Sequence, residues 1–156
     1  MRRTDREITD AKKIDKIIMN CDCCRLGFLE TGGAYILPLN FGYKNENGTR
    51  TFYFHGAKEG KKIGLILTQS HVGFELDGNH KLNKGETAQQ FSFRFQSVMG
   101  KGHVTMINDL TEKLGGLECI MEHYSDKKDW PIPETVVENT AVYKLVVTEI
   151  SCKEHK

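Results

Sequence analysis

Three stretches of the chain carry hydrophobic residues at helical spacing. The first follows the capping pair Thr9-Asp10 and has isoleucines on one face. The second, over 58–68, follows a strand and is basic at its start. The third and longest begins after Asn108 or Asp109, and its apolar face consists of Leu110, Leu114, Leu117, Ile120, Met121 and Tyr124. The pattern therefore predicts helices near the start, in the middle and late in the chain.

Alternating hydrophobic and polar residues predict strands in much of the remaining chain. These strands cover 24–30, 34–41, 51–54, 72–77, 91–96 and 141–151, and a further one resumes at Val104. Asn47-Gly48 is typical of a two-residue hairpin turn. The segment 78–87 is predicted to be a loop, and Gly100 and Gly102 a bend or turn between two strands. Six or seven hairpin-connected strands predict an α+β fold whose antiparallel sheet can close into a barrel.

Pro38 lies within the second predicted strand. Proline has no N–H to donate to a sheet, so within sheets it is found at an edge or at a bulge. A third alternative is that the backbone at this position is left free to bind another group.

The length and charge of the chain exclude several classes of protein. A chain of 156 residues and 17.8 kDa fits one domain over residues 1–156. Its 22 basic and 21 acidic residues give a net charge of +1, so we expect no nucleic-acid partner. No apolar run approaches the roughly 20 residues that a membrane helix needs, and an odd number of cysteines favours a reducing compartment. We therefore expect a cytoplasmic protein with no membrane partner.

The segment from Phe54 to Lys62 combines a strand end, two glycines, three lysines and a helix start. Free N–H groups and the helix dipole attract anions at a helix N-terminus, so Lys61 and Lys62 predict a site for a ligand phosphate. A solvated lysine face is the alternative. The glycine spacing differs from that of a nucleotide-hydrolysing phosphate loop, and no dinucleotide-binding glycine motif is present.

Histidine and cysteine supply the remaining candidates for chemistry. His55 stands at a strand end beside a glycine, and is either a functional group or a satisfied structural histidine. Cys21, Cys23 and Cys24 have a spacing that could hold a metal or sense oxidation. No matching ligand pair accompanies them, so we expect them to pack in the core and expect no metal site.

Several motifs, in order along the chain, resemble one family of flavoproteins. They are Arg2 to Ile8, Arg25-Leu26-Gly27, Tyr35 to Phe41, Tyr53 to Lys62, Ser97 to Gly100 and His123-Tyr124. Their order and spacing resemble the pyridoxamine 5′-phosphate oxidase-like proteins, and the first motif resembles the Nim-type branch, linked to 5-nitroimidazole antibiotic resistance. The resemblance runs from Arg2 to about Ile150.

The resemblance implies a split β-barrel that dimerises and holds FMN, with FAD as the alternative, at the subunit interface. It also implies which positions contact the flavin. The positions that would line the flavin ring and ribityl chain are Ile36, Leu37, Pro38, Leu39 and Asn40. His55 would meet the flavin as the candidate catalytic residue, and Lys61 and Lys62 would bind the phosphate.

Three further residues complete the implied site. Gln96 and Ser97 match a strand that supplies polar contacts to the cofactor. Trp130 would reach the flavin of the partner subunit or, alternatively, plug the end of the barrel.

Gly60-Lys61 stands where the oxidases carry an Arg-Lys pair, and their C-terminal arginine motif is missing. Pyridoxamine phosphate is therefore not the expected substrate.

Two functions remain open at this point. The first is a homodimeric, flavin-dependent oxidoreductase that passes electrons to a small planar acceptor such as a nitroimidazole. The second is a split barrel that carries a flavin, or haem, without turnover. The sequence identifies no electron donor.

Overall fold

The computed structural model describes residues 3–125 and 127–156, so Arg2 of the first family motif lies outside the described residues. The strands are β1 (Glu7–Ile8), β2 (Cys24–Glu30), β3 (Gly33–Leu39), β4 (Gly42–Glu46), β5 (Thr49–Gly56), β6 (His71–Asn83), β7 (Ser92–Ile107) and β8 (Ala141–His155). The α-helices are α1 (Ala11–Met19), α2 (Lys61–Thr68), α3 (Leu110–Tyr124) and α4 (Glu134–Asn139). No helix in this part of the chain is long and apolar enough to span a bilayer.

The strands form one antiparallel sheet that has two free edges. Their order is β3-β2-β6-β7-β8-β5-β4, and β1 pairs with β8. Phe52 on β5 and Phe74 on β6 have ring centroids 5.2 Å apart, although two strands lie between them in the sheet. Only a sheet that curls brings these rings together. The predicted α+β fold with an antiparallel split barrel is confirmed, since the edges β3 and β4 do not pair.

Helices cover the barrel at its end and on one side. On α1, Ile14, Ile17 and Ile18 are buried in the barrel core, and the Asp10 carboxylate caps the helix by accepting from the Lys13 N–H at 2.7 Å. α3 lies on the outer surface of β5 and β8. A Cβ at Gly116 of this helix would lie only 3.0 Å from the Tyr53 ring, so the glycine allows the close approach.

Several predicted boundaries change. β6 continues through the first part of the predicted loop 78–87 as far as Asn83, with a bulge between Gly78 and Lys81. β7 runs unbroken over 16 residues, so the bend or turn predicted at Gly100 and Gly102 is wrong. The sequence pattern also did not predict the short β1 or α4.

The glycines of β7 serve close packing rather than a turn. A Cβ at Gly100 would overlap the Glu149 carbonyl oxygen and lie 2.6 Å from the Phe74 ring. A Cβ at Gly102 would overlap the Val146 carbonyl oxygen, next to the bulge between β7 and β8. Both positions therefore need a residue without a side chain.

We expect Gly100→Ala to destabilise the protein by roughly 1–3 kcal/mol, because the added methyl meets backbone that cannot move cheaply. Gly33→Ala is the control, since nothing lies within 4 Å of a Cβ there. Urea unfolding of both variants measures the difference. Equal free energies of unfolding for the two variants would contradict the packing account.

Candidate functional site

The edge strand β3 carries the first group of predicted site residues. Its register pairs Pro38 with Arg25 of β2, and no strand in the described part of the chain pairs with its other side. Pro38 therefore lies at an edge, as one of the sequence alternatives requires. Ile36, Pro38 and Asn40 are exposed, whereas Leu37 and Leu39 pack against the core. Leu37 and Leu39 thus present only part of their side chains to a ligand.

The junction between β5 and α2 has the features of an anion site. Gly60 has φ 112°, which favours glycine, and it starts α2 at Lys61 rather than at Lys58. No side chain caps the helix, and its first turn contains no acidic residue. The first N–H groups of α2 are therefore available to an anion between the two lysines.

Lys61 and Lys62 reach in different directions from this junction. The Lys61 ammonium is 2.8 Å from the Glu30 carboxylate and 4.3 Å from the centroid of the Tyr35 ring, at the β2–β3 side. The Lys62 ammonium lies over Gly56, where any Cβ would overlap it, and 5.9 Å from the Tyr143 ring. Lys61 therefore lies on the β2–β3 side of the junction, and Lys62 lies at the end of β5.

His55 and Trp130, which the sequence suggested separately, line one cavity. It has a volume of about 340 Å³ and lies between the end of β5, α3, the loop before α4, and α4. Apart from His55 and Thr140, its lining is apolar or aromatic: Leu117, Ile120, Met121, Trp130, Pro131, Ile132, Pro133 and Val136. The Trp130 N–H donates to the Ser125 hydroxyl at 2.9 Å, which holds the indole at the cavity wall.

The electrostatics of His55 favour a neutral imidazole. Burial, and then the positive charge of Lys62, lower the pKa of this histidine below its ordinary value. A neutral ring in an apolar cavity can accept a proton, donate its single N–H or ligate a metal centre.

Gln96 and Ser97 do not join this site within one chain. Val142 of β8 pairs with both His55 and Ile107, so Ile107 marks the level of the cavity on β7. Gln96 is eleven residues away along β7, about 36 Å of extended strand. Its amide donates to the Glu154 carboxylate at 2.7 Å instead. Contact of Gln96 or Ser97 with a ligand in the His55 cavity therefore requires a second subunit.

The cysteines, apart from Cys23, are buried as predicted. Cys21, Cys24, Cys119 and Cys152 are buried, and Cys23 is half-buried. Burial raises the pKa of Cys21 to about 12 and that of Cys152 to about 11, so these thiols are poor nucleophiles at neutral pH. Among the residues that the structure describes, no group of three or more His, Cys, Asp or Glu side chains could hold a metal ion.

Sequence reasoning missed the α4 wall of the cavity and the partners of Lys61. α4 has a recognisable start, since Pro133 precedes Glu134 in the first turn. Glu30 and Tyr35 have no local signal, because their contact with Lys61 depends on how the hairpin meets α2.

Comparison with known proteins identifies the family of the chain. The family model for pyridoxamine 5′-phosphate oxidase matches residues 10–154. The chain belongs to this family. No curated protein gave a match.

Solved structures of similar proteins support the assignment to this oxidase-like family. A Bacteroides thetaiotaomicron VPI-5482 protein assigned to 5-nitroimidazole antibiotic resistance is 32% identical, with a TM-score of 0.82; the match covers 95% of this chain and 86% of that one. The flavocytochrome Anf3 of Azotobacter vinelandii is 22% identical, with a TM-score of 0.81, over 100% of this chain and 72% of that one. The FAD and haem binding protein of Mycobacterium smegmatis is 13% identical, with a TM-score of 0.82, over 97% and 74%. The first match confirms the Nim-type resemblance, and the other two show the shared fold.

We expect Lys62→Met to raise the pKa of His55, because the substitution removes a positive charge while burial remains. An NMR titration of the histidine ring protons measures the pKa of His55, whose signal is assigned as the one that the His55→Asn variant lacks. Lys12→Met, at an exposed position on α1, is the matched control and should leave the titration unchanged. An identical His55 pKa in the wild type and Lys62→Met would contradict the described position of Lys62.

Proposed function

We propose that this chain is a homodimeric, FMN-dependent oxidoreductase that reduces a small planar acceptor, with a nitroimidazole as the compound to test. The observation that carries the proposal is the β5–α2 junction, where Lys61 reaches the β2–β3 side and Lys62 reaches the end of β5, the strand that also carries His55. An uncapped helix start with two lysines, an unpaired strand edge and an apolar cavity support this proposal.

The junction fits the phosphate of FMN. The uncapped start of α2 offers N–H groups, and the bare backbone of Gly56 leaves room for Lys62. Lys61 must exchange Glu30 for the phosphate. That ion pair is half-exposed, with side-chain exposures of 54% and 33%, and such pairs contribute only about 0–1 kcal/mol. A doubly charged phosphate is the stronger partner for the lysine.

The β3 edge and the His55 cavity supply the other two roles. The edge strand offers unpaired backbone groups to the polar rim of a flavin ring, and Pro38 interrupts the row of donors. The open cavity offers an apolar surface against which a planar acceptor can pack, and His55 presents an imidazole that can donate or accept a proton at its ring nitrogens. The flavin, when bound, supplies the electron-transfer chemistry.

A second subunit is proposed on the apolar outer surface of the sheet. Ile36, Leu82, Phe91, Phe93 and Met99 are each at least 41% exposed. Large apolar side chains that are exposed in this way favour an interaction surface. A copy of the chain at this surface would also bring the partner's Gln96 and Ser97 towards the flavin. We assign the protein to the cytoplasm, where free cysteines persist.

The relative of 32% identity, which is assigned to 5-nitroimidazole resistance, supports the choice of acceptor. A second candidate function is a carrier of flavin or haem without turnover. The neutral His55 imidazole in an apolar cavity favours it, since such a ring suits axial ligation of haem iron. One structural neighbour is named a flavocytochrome, and another is named an FAD and haem binding protein.

The test is anaerobic reduction of the flavin-loaded protein by NADH or NADPH, followed by reoxidation with a nitroimidazole. We expect both half-reactions in the wild type. Lys61→Ala should weaken FMN binding about tenfold, because a charge-assisted phosphate contact is lost. His55→Ala should retain FMN and slow reoxidation about a hundredfold.

Lys12→Ala serves as the control for loss of one exposed lysine and should match the wild type. Flavin that neither nucleotide reduces, or that the acceptor fails to reoxidise, would favour the carrier. Equal FMN retention by Lys61→Ala and the wild type would contradict the phosphate site.

A further inference from the structure

A second cavity contains the one charged side chain that is buried in the described part of the chain. Lys113 of α3 is only 6% exposed. It lines a cavity of about 560 Å³ together with Lys58, Met106, Ile107, Asn108, Leu110, Glu138, Thr140 and Ala141. The proposed function uses neither Lys113 nor Lys58.

Lys113 is poorly compensated for a buried cation. Its ammonium donates to the Glu138 backbone carbonyl at 3.3 Å. Within residues 3–125 and 127–156, no carboxylate lies within 4 Å of Lys113 or Lys58, although both line the cavity. A buried charge is costly unless it is paired, so this arrangement has room for an anion.

The two lysines also act on each other. Burial and the positive charge of Lys58 lower the pKa of Lys113, whereas Glu138 raises it. An anion between the two ammonium groups would relieve their repulsion. The Glu138 side chain is exposed at the rim, and its carboxylate forms no ion pair with either lysine.

The rest of the lining indicates an organic anion. Met106, Ile107 and Leu110 present apolar surface, and Leu110 is 42% exposed although it lies on the apolar face of α3. The cavity also shares Thr140 with the His55 cavity. A ligand with a carboxylate at the lysines and an apolar body against these side chains would satisfy both halves of the cavity.

We propose that this cavity binds a small organic carboxylate through Lys113 and Lys58. Lys113 provides one positive charge from α3, on a side chain that is only 6% exposed, and Lys58 provides the other from the loop between β5 and α2. The apolar side chains select an aromatic or aliphatic carboxylate over a small hydrated anion. The site is separate from the phosphate site at α2.

Isothermal titration of the purified full-length protein with benzoate tests the proposal, and benzyl alcohol is the neutral comparison. We expect one saturable benzoate site and no comparable binding of benzyl alcohol. Lys113→Met, which keeps the length of the side chain, should weaken benzoate binding about tenfold. Lys58→Met should weaken it by about threefold, since Lys58 is exposed. Lys12→Met should leave it unchanged.

Absence of saturable benzoate binding would overturn the proposal, as would equal binding of benzyl alcohol. Unchanged affinity in both cavity-lysine variants would also overturn it. Lys58→Met keeps the test decisive if Lys113→Met does not fold, because Lys58 lies at the surface. The measurement involves no flavin reduction, so its failure is distinct from failure of the proposed function.

Discussion

The site depends on the backbone at Gly60, where β5 gives way to α2. A φ of 112° at this position ends the extended chain and starts the helix within one residue. The turn leaves the first N–H groups of α2 uncapped and sends two consecutive lysines in different directions, one towards Glu30 and one over Gly56. A residue other than glycine would strain this turn and shift both lysines together.

The fixed position of α2 links the two halves of the split barrel. At its start Lys61 binds Glu30, and just after its end the Gln69 amide exchanges hydrogen bonds with the Leu29 backbone at 2.9 Å and 2.7 Å. Both contacts tie the helix to the end of β2, while Lys62 reaches the β5 side. A phosphate at the start of α2 would therefore meet groups from the β2–β3 side and from the end of β5. On the other side of β5, α3 and α4 build the His55 cavity.

Local sequence signals explain much of this arrangement. Asn47-Gly48 specifies the β4–β5 hairpin, with φ values of 52° and 89°, and Asp10 and Asp109 cap the helices that they precede. The bend or turn predicted at Gly100 and Gly102 was wrong, because the sequence does not distinguish a glycine that permits close packing from one that turns the chain. His55 and Trp130 line the same cavity, and Lys61 contacts Glu30, only because the barrel curls in this way. Only the three-dimensional structure carries that information.

Native mass spectrometry of the freshly purified protein tests the central claim most directly, because it reports cofactor and subunit number together. The account predicts a dimer that carries two FMN molecules. It also predicts that flavin is lost when the subunits separate, since each site would use residues of both. A monomer that retains a flavin, or a dimer that takes up none when FMN is added, would contradict a flavin site completed by the second subunit.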